Sequence, residues 1–123
     1  MKPLPLLLSM TAQKLETSAG NARKRLENAP PTVLECFYFV RKGCLENDVP
    51  LVMGNLITSI TKKLNIFGNF DWLYQGWEML LDEVPKCADP SSAADIASLI
   101  ICEDINTLLY LNPPDEKYPK DSL

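Results

Sequence analysis

Apolar residues recur every three or four positions along most of the chain, in segments that prolines separate. The clearest segment spans about residues 50–67, where Asn55, Thr58 and Lys62 lie on the polar side. The apolar side comprises Met53, Leu56, Ile57, Ile60, Leu64 and Phe67. A period near 3.6 residues with polar side chains opposite is typical of an amphipathic α-helix. The pattern therefore predicts a helix that ends at Gly68, a residue suited to a left-handed C-terminal position.

Three further segments show the same helical spacing. Residues 9–28 carry a thin stripe made largely of alanine. Residues 71–84 begin with Asp71, which we expect to cap the helix. Residues 92–111 are apolar on most sides of the helical circumference. A helix of that kind is typical of the centre of a bundle or of a surface covered by a partner chain.

Residues 32–46 permit two interpretations. Thr32 and Glu35 have the spacing of a capping box, which predicts the start of a helix. The run VLECFYFV is rich in β-branched and aromatic residues, which favour strands. The absence of strict alternation favours the helix, and a strand over residues 33–40 remains the alternative.

The fold class predicted from these segments is all-α, a single-domain bundle of about five helices. A strand at residues 33–40 would make it α+β. The 123 residues suffice for one domain with a sizeable core. We expect an N-terminal extension over residues 1–8, the helical domain over residues 9–112 and a flexible C-terminal tail over residues 113–123.

Charge is distributed unevenly along the chain. Residues 1–70 carry nine Lys/Arg and five Asp/Glu, a net charge of +4, whereas residues 71–123 carry three and eleven, a net charge of −8. The overall charge of −4 counts against nucleic-acid binding, because phosphate attraction dominates such affinity. Only the clusters Arg23–Arg25 and Arg41–Lys42 favour that alternative.

The residue types present exclude several kinds of chemistry. The chain has no histidine, which removes the usual proton shuttle and most nucleophile pairs. The four cysteines lie at positions 36, 44, 87 and 102, with no closely spaced pair of the kind that binds zinc. Four reduced thiols, no metal, no cofactor and no catalytic residue are therefore expected. The short apolar start carries two prolines and does not resemble a signal peptide, so we expect a cytoplasmic or nuclear protein that does not enter the membrane.

Several apolar side chains are candidates for an exposed binding surface. If Phe37 and Cys44 face inward on the second helix, Phe39 falls on the opposite side with Lys42. On the fourth helix, Trp72 and Met79 lie on a flank away from the main apolar stripe. Aromatic residues and methionine are enriched at protein interfaces. The predicted protein-binding residues are Phe39, Lys42, Trp72 and Met79.

One acid interrupts the most apolar helix. Asp104 falls beside the apolar side of that helix, and we expect it to be buried and paired, with Arg41 as the candidate cation and Lys63 as another.

The expected function is a non-enzymatic protein–protein interaction module, such as an adaptor, an inhibitor or an assembly subunit. Its partner would be another protein or a second copy of itself. The alternatives are a small nucleic-acid-associated regulator, or a helical ligand-binding protein or enzyme that uses the buried Asp104.

Overall fold

A computed structural model of the protein describes residues 12–112, and throughout that range the regular structure is helical. The five α-helices are α1 (Ala12–Arg25), α2 (Pro31–Leu45), α3 (Val49–Thr58), α4 (Asp71–Glu83) and α5 (Pro90–Leu111). The prediction of an all-α bundle is confirmed. The strand alternative is wrong, because residues 33–40 lie within α2. The predicted N-terminal extension and C-terminal tail lie outside the described residues.

Proline and aspartate mark the starts of α2, α3 and α5, whereas Asp71 is the first residue of α4 and not its predicted cap. Pro31 opens α2, where the missing N–H of proline costs nothing because the first turn has no acceptor for it. No side chain caps this helix, so the predicted capping box at Thr32 is wrong. Asp48 accepts a hydrogen bond from the Leu51 backbone N–H, and Asp89 accepts one from the Ser92 N–H, each at 3.2 Å. These two carboxylates satisfy N–H groups at the starts of α3 and α5.

The third helix ends differently from the prediction. After Thr58 the chain widens into a π-helical turn over Ser59–Lys63, and the left-handed residue that follows is Asn65, with φ 59°, rather than Gly68. A π-turn contains an extra residue compared with an α-helical turn. The side chains that follow it are therefore rotated relative to the register of the preceding α-helix. Phe67, predicted to face the core from within this helix, instead lies beyond its last turn and is 70% exposed.

Helix α5 lies at the centre of the bundle. Helices α2 and α1 make the most extensive contacts with it. Its buried residues occur all round its circumference: Ala93, Ala94, Ile96, Ala97, Ser98, Leu99, Ile101, Cys102, Ile105 and Leu108. The polar member, Ser98, donates its hydroxyl hydrogen bond to the Ala94 carbonyl at 2.6 Å, so burial leaves it satisfied. The pattern that predicted a central helix is therefore explained by packing on several sides.

Helix α2 buries one line of residues at helical spacing. The line consists of Val33, Cys36, Val40 and Gly43. Gly43 allows α3 to approach closely, because a Cβ at this position would overlap Cγ2 of Val52. Phe37 and Cys44, predicted to point inward, are only partly buried beside that line. This rotation of α2 decides which of its side chains face outward.

Replacing Gly43 tests the close contact of α2 with α3. Gly43→Ala is expected to lower the free energy of unfolding by about 1–3 kcal/mol, because Val52 or α3 must move to admit the methyl group. Urea denaturation followed by circular dichroism measures the change.

Gly54→Ala is the matched control, since nothing lies within 4 Å of its added Cβ. That substitution within α3 is expected to raise stability by up to about 1 kcal/mol through the better helix propensity of alanine. Equal effects of the two substitutions would contradict the close contact at Gly43.

Candidate functional site

The outer side of α2 carries a line of exposed apolar residues. Leu34 is 38% exposed, Tyr38 71% and Leu45 46%. Arg41 lies between Tyr38 and Leu45 on the same line, so the spacing is four, three and four residues. Residues at such intervals share one side of an α-helix. We call Leu34, Tyr38, Arg41 and Leu45 the α2 outer face.

The α2 outer face has a charged edge and an aromatic edge. On one edge the exposed side chains of Glu35 and Lys42 lie seven residues apart, and Glu35 Oε1 is 3.5 Å from Lys63 Nζ. On the other edge Phe37 contacts Tyr38 edge-on, with ring centroids 5.5 Å apart and planes at 88°. Phe37 also packs against the core, so it supports the Tyr38 ring from the side.

Arg41 is held in place by α5. Its Nε lies 2.7 Å from Oδ1 of Asp95, and both side chains are partly exposed. The predicted pairing of Arg41 with Asp104 is therefore wrong. Lys63, the other candidate cation, is paired with Glu35. Arg41 thus joins the α2 outer face to the central helix rather than neutralising a buried acid.

Asp104 has a neutral partner. Its Oδ2 accepts a hydrogen bond of 2.8 Å from Nε1 of the buried Trp77 in α4. Burial raises the pKa of Asp104 to about 6; the Trp77 hydrogen bond opposes this shift, and the neighbouring Glu103 charge adds to it. Glu103 itself lies 3.6 Å from Arg25 Nη1. The prediction of a buried Asp104 is met only in part, because the residue is partly buried, and its partner is an indole rather than a cation.

Phe39 and Lys42 lie together in a groove between α2 and α3. The groove has a volume of about 190 Å³ and is lined by Phe39, Lys42, Gly43, Glu46, Leu51, Val52 and Asn55. Phe39 is partly buried and packs against the core, whereas Lys42 is exposed. The structure brings these two predicted binding residues together, with Phe39 serving the core as well.

Trp72 and Met79 are on α4, and neither lines the groove of Phe39 and Lys42. Trp72 is 39% exposed and Met79 is partly buried, while Leu73, Trp77 and Leu80 form the buried side of the helix. Trp72 and Met79 therefore lie outside the groove that Phe39 and Lys42 share. The role of all four residues in binding stays a prediction.

A larger groove lies where the end of α2 meets the start of α5. Its volume is about 340 Å³, and its lining comprises Cys44, Leu45, Asn47, Leu81, Pro85, Pro90, Ala93, Ala94 and Ala97. Leu45 belongs to both this groove and the α2 outer face. Asp104 lines neither of these two grooves.

The four cysteines are unpaired, and burial makes three of them, Cys36, Cys44 and Cys102, poor nucleophiles. Burial raises the pKa of the Cys44 thiol to about 11, and it also raises the pKa of Cys36 and Cys102. A thiol with a raised pKa holds little thiolate at neutral pH and is a poor nucleophile or metal ligand. Within residues 12–112, no group of three or more Cys, Asp or Glu side chains is arranged to hold a metal ion.

Sequence reasoning missed Leu34, Tyr38 and Leu45 because it placed Phe37 and Cys44 on the inward side of α2. Gly43 was the available signal: a glycine within a helical pattern often marks a close approach of another backbone. Aligning the inward line on Gly43, Val40 and Cys36 would have turned Tyr38 outward.

No protein-family model matches the chain, and neither the curated proteins nor the solved structures contain a match to it. Among the helices of residues 12–112, none combines the length and the apolar character that crossing a membrane requires. The fold and the site define an all-α bundle with an exposed apolar helix face.

Substitution of Asp104 tests the raised pKa. A carboxyl group whose folded-state pKa is raised from 3.8 to about 6 stabilises the fold below pH 4 and loses that contribution as the pH rises through about 6. The contribution is at most about 3 kcal/mol. Asp104→Asn, which keeps an acceptor for Trp77, is expected to raise stability at pH 7 by about 1 kcal/mol or more and to remove this pH dependence.

Denaturation between pH 4 and pH 7, followed by tryptophan fluorescence in a Trp72→Phe background, measures the effect at Trp77. Asp104→Ala is the comparison: it leaves the indole N–H without its acceptor and is expected to cost about 1–3 kcal/mol. The same pH dependence in the parent and in Asp104→Asn would show that Asp104 titrates normally.

Proposed function

We propose that the protein works by protein–protein contact through the α2 outer face, as an adaptor, inhibitor or assembly subunit without enzymatic activity of its own. The observation that carries the proposal is the exposed line of Leu34, Tyr38 and Leu45. It lies on a helix whose other side is buried in the core. Apolar side chains aligned on an otherwise charged surface are typical of sites that another molecule covers.

The composition and rigidity of this face support binding. Tyrosine and arginine are, with tryptophan, the residues most enriched among the energetic anchors of interfaces. Tyr38 is supported by Phe37, and Arg41 is held by Asp95. Because these contacts already restrict both side chains, fixing them in a complex would cost little conformational entropy.

The charged contacts count against the nucleic-acid alternative. Arg41 pairs with Asp95, and Arg25 lies near Glu103. Two of the five cations that favoured a phosphate-binding role therefore already face carboxylates. Phosphate contacts supply most of the affinity in such complexes, so this arrangement favours a protein partner.

The unpaired cysteines support a reducing setting. Cys36, Cys44, Cys87 and Cys102 are all free thiols. Disulfides are rare where glutathione keeps thiols reduced. A cytoplasmic or nuclear location is thus part of the proposal.

Substitution of Tyr38 tests the proposed surface. Tyr38→Ser is expected to weaken partner binding by about tenfold or more while leaving the melting temperature unchanged, because the ring is 71% exposed. A photoreactive amino acid at position 38 identifies the partner by crosslinking, with position 78 on the exposed side of α4 for comparison. Calorimetry with the purified partner then gives the dissociation constant of each variant.

Phe67→Ser is the matched control, since this ring is equally exposed but lies outside α2. It is expected to leave binding unchanged. Unaltered affinity in both Tyr38→Ser and Leu45→Ser would exclude the α2 outer face. Trp72→Ser would then test the predicted flank on α4.

A further inference from the structure

We infer that the α2 outer face binds a second copy of this chain, with the two α2 helices antiparallel across a two-fold axis. The inference rests on the proposed function, because it names the occupant of the same surface. Its basis is that the residues of the face are complementary to themselves when one helix is reversed. A two-fold contact requires such self-complementarity.

The apolar residues match in the reversed arrangement. The spacing of four, three and four residues is that of the seam where two helices pack in a coiled coil. An axis midway between Tyr38 and Arg41 places Leu34 against Leu45 of the second copy. It also places the Tyr38 ring against the Arg41 guanidinium, a cation–π contact that occurs twice.

The charged edge matches as well. Glu35 and Lys42 lie seven residues apart on one edge, about 10 Å along the helix axis, which is too far for them to pair with each other. Reversal of the second helix brings Glu35 of each copy near Lys42 of the other. The same two residues therefore form two opposite-charge pairs across the axis, in addition to the contact of Glu35 with Lys63 of its own copy.

The expected complex is weak. The contact involves one 15-residue helix from each copy, and interfaces of that extent lie at or below the low end for stable complexes. Dissociation constants of about 10 µM to 1 mM are typical of so small an apolar contact. The chain is then monomeric when dilute and dimeric when concentrated. The fraction of α2 outer faces that are covered therefore depends on the protein concentration.

Charge reversal tests the arrangement. Sedimentation equilibrium of the full chain from about 10 µM to 1 mM is expected to show a mass that rises from 13.8 kDa toward twice that value. Glu35→Lys alone and Lys42→Glu alone each place like charges together at both ends of the contact. Each is expected to raise the dissociation constant about tenfold at low salt.

Two combinations restore opposite charges. The double variant Glu35→Lys with Lys42→Glu is expected to dimerise like the parent chain. An equimolar mixture of the two single variants is expected to form a heterodimer about as tightly as the parent dimerises, whereas each variant alone dimerises more weakly. No monomer property accounts for rescue by mixing, so this result isolates the contact between copies.

Control variants carry the same changes in charge elsewhere. Glu78→Lys on α4 and Lys62→Glu beyond α3 change exposed residues outside α2. Lys63→Gln removes the ion pair of Glu35 within one copy and leaves Glu35 itself unchanged. All three are expected to keep the dissociation constant of the parent within about twofold.

Each contrary result has a distinct meaning. A monomer at all concentrations, or a dimer that is insensitive to the charge reversals, overturns the inference about the second copy. If a different protein crosslinks at position 38 and Tyr38→Ser weakens its binding, the proposed function survives that result. Absence of both self-association and a crosslinked partner overturns the two together.

Discussion

The structure depends on the burial of α5 on nearly all its sides. Ile101 and Ile105 are completely buried, and each apolar side chain of that size contributes about 1.5–3 kcal/mol by leaving water. One helix can be buried so fully only if others surround it, so α1 and α2 pack along it and their apolar sides turn inward. The small residues Ala93, Ala94 and Ala97 let neighbouring helices approach the first turns of α5.

The exposed face follows from how α2 meets its two neighbours. Gly43 admits Val52 of α3, which sets the rotation of α2 about its axis. Once Gly43 faces α3, Tyr38 must point to solvent, since the two positions lie on opposite sides of the helix. Asp95 then holds Arg41 beside Tyr38. The α2 outer face is thus a consequence of the close packing on the other side of α2. Any partner must fit a surface whose shape that packing has already set.

The hydrogen bond of Trp77 to Asp104 places an acid where hydrophobic packing alone would place an apolar residue. Within the described part of the chain, no buried side-chain nitrogen or oxygen lacks a hydrogen-bond partner. The free-energy cost of burying Asp104 therefore arises from its charge and not from a missing hydrogen bond. Burial of the charged form is unfavourable, which is why the pKa rises to about 6. The hydrogen bond between Trp77 and Asp104 orients α4 against α5. It is a polar contact that specifies geometry, although the buried charge of Asp104 lowers stability at neutral pH.

The sequence by itself predicted an all-α fold of about five helices, with α5 covered on most of its sides, because these features follow from periodicity and from proline positions that act locally. It did not determine the rotation of α2 or the end of α3. The rotation depends on the contact of Gly43 with Val52, and the π-turn at Ser59 shifts side chains in a way that a uniform helical period cannot anticipate. For the same reason the sequence indicated Phe39 as the exposed aromatic residue, whereas the fold exposes Tyr38. Only tertiary packing decides which of two neighbouring aromatic residues faces the solvent.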